Sequence, residues 1–362
     1  MLKLIDDYLR SNNEVIIMRF NDCSDNELRL GYICNVEIDN FYKENPINEL
    51  SIDLYEAIKL RSDFCIKLLE LYNTSDTSIE KAKYKLLHKG TPFYFIGLGR
   101  LLIQDYQGFS FYMDMAVVQD NKNMSPVARN KGSAAEKAFL GYDEYPQNLI
   151  DNTINKYVFG LIERTFKIFK ESSPESTFTL SDFKNKFVIN NIRDVNSLYH
   201  SVVCSFYSWI HECDYFLNLF KILPPDSGFS GSMDSYYLHL VKGTLVLESI
   251  AKMVVHKTTN KIISGTLGDL FNNHLNIKLF SNKIDINQNF DGEKIQTLEK
   301  ILEYVQIKST FDKVDILKIA LTIRNTVSHS LNWNTGETFY KIQRDLYLIL
   351  TNAIFIMIEL LP

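Results

Sequence analysis

Arg324, Asn325 and His329 stand within six residues of one another, in the string RNTVSH of the segment ALTIRNTVSHSLNWN. A guanidinium can hold a phosphate through two parallel hydrogen bonds, and an imidazole can take up or release a proton near neutral pH. An Arg and a His placed together therefore have the chemistry to cleave RNA without a metal. RNA carries its own nucleophile, the 2′-hydroxyl, beside the phosphorus it would attack.

The element that must position these groups is a helix. Residues 311–331 place Val314, Leu317, Leu321, Ile323 and Val327 at helical spacing, and Asp312 or Thr310 can cap the start. Asn325 and His329 are an i,i+4 pair and share a face, whereas Arg324 and His329 lie roughly 140° apart on a straight helix. Two arrangements remain open. Either the helix ends near Ser328, where LNWNTG supplies turn formers, or a second copy of the motif completes the site across a two-fold axis.

Arg324-Asn325-(three residues)-His329, set between an amphipathic helix and a long apolar final helix, resembles the R-x4-6-H signature of the HEPN superfamily. The segment LVLESIAKMVVHKTTNKIISGTLGDLFNNHL, with Glu248 on a long helix ahead of a Thr-Leu-Gly-Asp helix start, is loosely similar to the middle of the same bundles. The resemblance implies an all-α bundle over residues 190–362, metal-independent endoribonuclease activity, no cofactor and no metal. It implies a toxin or defence effector with RNA as substrate, and as partner an antitoxin or another defence-system protein. His329 would be the general base or acid, Arg324 would hold the scissile phosphate, and Asn325 would orient the imidazole or bond a phosphate oxygen. One His cannot easily serve both ends of the displacement, so a homodimer supplying a second His329 is expected. Some HEPN toxins carry a Tyr just after the motif, where a partner nucleotidyltransferase modifies it. Ser330, Leu331, Asn332 and Trp333 stand there instead, which argues against that antitoxin type.

Three readings compete. One is an active nuclease, one an inactive HEPN-like module that binds proteins or nucleotides, and one an unrelated helical scaffold in which Arg324 is a cation at a helix C-terminus favoured by the dipole.

Composition sets further bounds. The 362 residues, 46% hydrophobic, can bury a sizeable core and suggest two domains. Lys and Arg number 39 against 44 Asp and Glu, a net −5, which disfavours a broad polyanion-binding surface and favours a local site. Asp6 and Asp7 interrupt any signal-peptide core, and Cys23, Cys34, Cys65, Cys204 and Cys213 contain no CxxC, so a cytoplasmic protein with reduced thiols is expected. Residues 346–362 are apolar but interrupted by Thr351, Asn352 and Glu359, and read as a buried bundle helix rather than a membrane span.

The first half reads differently from the second. Residues 14–20 and 28–37 are predicted as strands, 51–73 and 78–88 as helices, and 92–104 with 108–118 as a hairpin about Asp105-Tyr106-Gln107-Gly108. The expected class is therefore α+β: a mixed α/β regulatory or sensing region over 1–148, with a loop at about 119–148. Connecting helices over 149–189 and the bundle over 190–362 follow. Predicted helices there are 149–171, 181–189, 193–223, 233–257, 266–275, 293–306, 311–330 and 337–361. The last would pack on the motif helix and hold Arg324 and His329 on a rigid wall.

Other constellations carry less. Arg193 and His200 repeat the R-x4-6-H spacing, yet on an unbroken helix they form a polar seam with Ser197, Cys204 and His211. A zinc site from His200, Cys204 and His211 is disfavoured, since His211 lies farther along the axis. Gly97-Leu98-Gly99-Arg100 lacks the third glycine and the strand-to-helix context of a dinucleotide site. The 20 Tyr and 24 Phe suit a core better than a base-stacking platform, and Asp143 and Glu144 lack the distant acids of a metal nuclease.

Overall fold

The computed structural model describes residues 1–46, 53–73, 77–123, 132–142, 149–194, 197–222, 234–280, 286, 289–290, 293–294, 297–308, 310–327 and 336–362. These residues are helical almost throughout, with a two-residue antiparallel pairing of Asn289–Phe290 and Glu293–Lys294 as their one extended contact. The expected α+β class is thereby corrected to all-helical.

Sixteen helical elements are described. They are α1 (Leu2–Asp22), α2 (Asp25–Arg29), α3 (Tyr32–Glu44), α4 (Leu54–Asn73), α5 (Ser78–Leu86), α6 (Gly90–Leu102), α7 (Tyr106–Asn123), α8 (Ala134–Leu140) and α9 (Leu149–Ser172). Then come α10 (180–192, with a π-helical middle), α11 (His200–Ile222), α12 (Asp234–Thr259), α13 (267–279, again part π), α14 (Leu298–Ile307), α15 (Lys313–Val327) and α16 (Gly336–Glu359). The chain divides into two compact units, residues 1–160 with 188–208 and residues 161–187 with 209–362.

In the first unit the segments expected as strands are helices, and their buried positions show why. Ile5, Tyr8, Ile16 and Phe20 line one face of α1 at spacings of three, eight and four, and Ile33 and Cys34 lead to Ile38 and Phe41, four and three residues on, along one face of α3. The expected hairpin is α6 and α7, packed on each other, with α6 also against α4. Helix α6 is apolar nearly all round because it is covered on more than one side, and such a run has no alternation to separate strand from helix. Gly97 and Gly99 lie inside α6: a Cβ on Gly99 would stand 2.2 Å from Ser62 Oγ, and one on Gly97 would stand 3.2 Å from Met113. Their small size serves close helix packing. The expected loop at 119–148 includes the end of α7 and all of α8, which Ser133 caps through the Glu136 N–H. Asp143 and Glu144 lie outside the described residues.

In the second unit α12, α14, α15 and α16 form a bundle in which α16 contacts the other three. The C-terminal half of α16 is buried, with Ala353, Ile354, Phe355, Met357 and Ile358 fully so. Phe355 sits among Phe166, Phe169 and Phe183, and Asn352 Nδ2 donates to Ser172 Oγ at 2.9 Å. Among the described residues no helix is long and apolar enough to cross a membrane.

Candidate functional site

Helix α15 is pinned at its start. The Asp315 N–H donates to Asp312 Oδ1 at 2.9 Å, and the Asp312 N–H returns a bond to Asp315 Oδ2 at 3.3 Å, so Asp312 is the cap. Lys308 Nζ reaches Asp315 Oδ2 at 2.6 Å and donates to the Tyr304 hydroxyl, which itself donates to Asp315 Oδ1. Those bonds, first to Asp315 and then to Tyr304, push the Lys308 ammonium above its ordinary pKa. The start of α15 is thus tied to the end of α14.

From that anchor the helix buries Ile316, Leu317, Ile319, Ala320, Leu321, Ile323 and Val327. Thr322 and Thr326 turn their hydroxyls back onto the carbonyls of Lys318 and Thr322. Arg324 emerges at the edge of the buried face, and Asn325 is exposed. The Arg324 guanidinium donates from Nε to Glu248 Oε2 of α12 at 3.2 Å. The other oxygen of that carboxylate, Oε1, accepts from Lys252 Nζ at 2.7 Å, one turn along α12. One carboxylate therefore lies between two cations, Arg324 from α15 and Lys252 from its own helix.

His329 and Ser328 lie outside the described residues, so the structure places Arg324 and Asn325 of the three expected site residues. Helix α15 is described as far as Val327. Lys252 was missed in the sequence, although its i,i+4 spacing from Glu248 was the available signal.

In the second Arg/His pair, Arg193 and His200 each engage a different acid. Helix α11 begins at His200, so the unbroken helix expected from Arg193 onward is corrected. Arg193 donates to Glu136 Oε1 from Nε at 2.9 Å, whereas His200 Nδ1 lies 2.6 Å from Asp114 Oδ1 on α7. Cys204 is fully buried, and among the described residues no group of three or more His, Cys, Asp or Glu side chains is placed to hold a metal ion.

No family model matches this sequence, and neither a curated protein nor a solved structure gives a significant match.

Proposed function

We propose that the protein is a metal-independent endoribonuclease of the HEPN type, acting as a toxin or defence effector. The observation that carries the reading is Arg324 itself. It stands at the edge of the buried face, braced by Glu248 and accompanied by Lys252, next to an exposed Asn325. A guanidinium fixed in orientation by a carboxylate is a preorganised partner for a phosphate that gains charge in a transition state.

In this reading the 2′-oxygen attacks the adjacent phosphorus and the bond from phosphorus to the 5′-oxygen breaks. The 2′-hydroxyl proton passes to one His329, and a second His329, supplied by the partner copy, protonates the leaving 5′-oxygen. The products are a 2′,3′-cyclic phosphate and a 5′-hydroxyl. Arg324 stabilises the non-bridging oxygens, and Asn325 orients imidazole or phosphate. Residues 1–148 would then sense a trigger or restrain the nuclease.

The alternative, a catalytically inactive HEPN-like module that binds proteins or nucleotides, draws on one observation: Glu248 already engages Arg324, as a purely structural tie would. Incubating the purified chain with single-stranded RNA in EDTA separates the two. The nuclease reading expects fragments ending in cyclic phosphate, lost in both Arg324→Ala and His329→Ala. Cleavage that needs a divalent ion or survives both substitutions would refute the chemistry, and no cleavage would leave the inactive module.

A further inference from the structure

Away from Arg324, the second unit holds a cavity of about 540 Å³ between the C-terminal half of α9, the part of α11 after residue 208, and α16. Its volume lies within the roughly 300–1,000 Å³ typical of small-molecule sites. Leu161, Ile168, Ile210, Leu217 and Leu348 supply an apolar lining. Tyr347, only 2% exposed, closes the inner wall, and its hydroxyl has no hydrogen-bond partner among the described residues.

The polar residues of the same lining are asymmetric in charge. Exposed Arg164, Lys221 and Arg344 border the cavity against a single carboxylate, Asp214. Lys221 Nζ donates to Asn218, and among the described residues no carboxylate forms an ion pair with Arg164 or Arg344. Three cations come from three different helices and converge on one apolar opening.

We propose that this cavity binds a small amphipathic anion, an apolar body lodged against the leucine and isoleucine lining and a carboxylate or phosphate head held by Arg164, Arg344 and Lys221. Such a molecule satisfies both halves of the site, because its apolar part leaves water and its charge meets guanidinium groups that favour planar anions. A neutral or cationic molecule of the same shape would meet the rim without compensation.

The cavity is a binding site and not a nucleophilic one. Cys213 lines it, with Sγ 3.6 Å from His239 Nε2, an arrangement that invites a thiolate–imidazolium reading. Burial pushes the thiol well above its ordinary pKa, and burial followed by the charge of Lys242 brings His239 down to about 3. Both groups are neutral at physiological pH, so the thiol is not an activated nucleophile.

Isothermal titration of the full chain with dodecanoate, below its micelle concentration, tests the proposal against dodecyltrimethylammonium and acetate. Saturable binding of dodecanoate is expected at one site per chain, with the cationic homologue and acetate each weaker by about tenfold or more. Arg164→Glu and Arg344→Glu change exposed residues and leave the core intact, and each should weaken dodecanoate by about tenfold or more. Leu217→Trp should abolish binding by filling the cavity. Absence of saturable dodecanoate binding, equal affinity for the cationic homologue, or affinity unchanged in both arginine variants would overturn the assignment. RNA cleavage does not enter these readouts, so failure here leaves the Arg324 reading standing.

Discussion

Arg324 on α15 and Glu248 on α12 are 76 positions apart in the chain and meet at 3.2 Å, Nε to Oε2, with Lys252 closing the other carboxylate oxygen at 2.7 Å. The acid therefore ties the guanidinium to α12 while sharing its charge with a second cation.

Glu248→Gln should consequently act on Arg324 through position. The pair is partly exposed, so folding stability should fall by no more than about 1 kcal/mol, while RNA cleavage should drop by about tenfold or more through kcat. Melting curves and initial rates on one preparation check this. Unchanged cleavage with an unchanged melting temperature would assign Glu248 no part in positioning.

Homodimerisation is the second expectation, because one imidazole cannot easily serve both the attacking and the leaving oxygen. Native mass spectrometry should show a dimer at working concentration. Mixing Arg324→Ala with His329→Ala subunits should restore part of the cleavage if each site takes parts from both chains. A monomer that cleaves RNA would exclude the shared site.

His239 makes the second unit sensitive to acid. Its ring packs against Trp209, Phe216 and Tyr347, and its pKa is held at about 3 against an ordinary 6.5. The unfolded chain therefore binds a proton that the folded chain refuses. Stability is intact above about pH 6.5 and is lost as pH falls toward 3, on the order of a few kcal/mol in all. Urea denaturation of His239→Leu should show a shallower loss between pH 6.5 and 4 than the parent.

Glu37 has the opposite sign. Its side chain is fully buried on α3, with Arg19 Nε 3.2 Å away. Burial raises its pKa, which Arg19 opposes and Glu44 reinforces. The protonated form favours folding, so this contribution is complete below the unfolded carboxylate pKa and is lost as pH rises through the raised value. Glu37→Gln should gain stability at pH 7, by about 1 kcal/mol, and gain less at pH 4.5. Thermal melts at the two pH values decide it.

Gly99→Ala tests the packing of α6. The added Cβ would stand 2.5 Å from Ser62 Cβ, which sits close to the α4 backbone and cannot swing away, so a loss of about 1–3 kcal/mol is expected. A neutral substitution would show that α6 and α4 can separate at no cost.

Much of the second half was legible in the sequence. Leu317, Leu321, Ile323 and Val327 mark the buried face of α15 at helical spacing, Asp312 caps it, and Thr266 with Asp269 forms the reciprocal cap of the Thr-Leu-Gly-Asp helix start. Caps and amphipathic stripes are local properties, set by neighbours within a turn or two, so one chain read in order contains them. The first half was misread where that locality fails. Residues 92–104 and 108–118 are rich in apolar and aromatic side chains, and a helix covered on several sides by α4, α7 and α8 has no polar face to mark its period. At the site, the sequence by itself determined that a guanidinium and an amide follow each other at the end of an amphipathic helix. Only the tertiary structure decided that Glu248, itself paired with Lys252, meets Arg324 and that three cations border an apolar cavity elsewhere. Charge interactions depend on distance through space, and the 76 residues between Glu248 and Arg324 become 3.2 Å only when α12 and α15 pack.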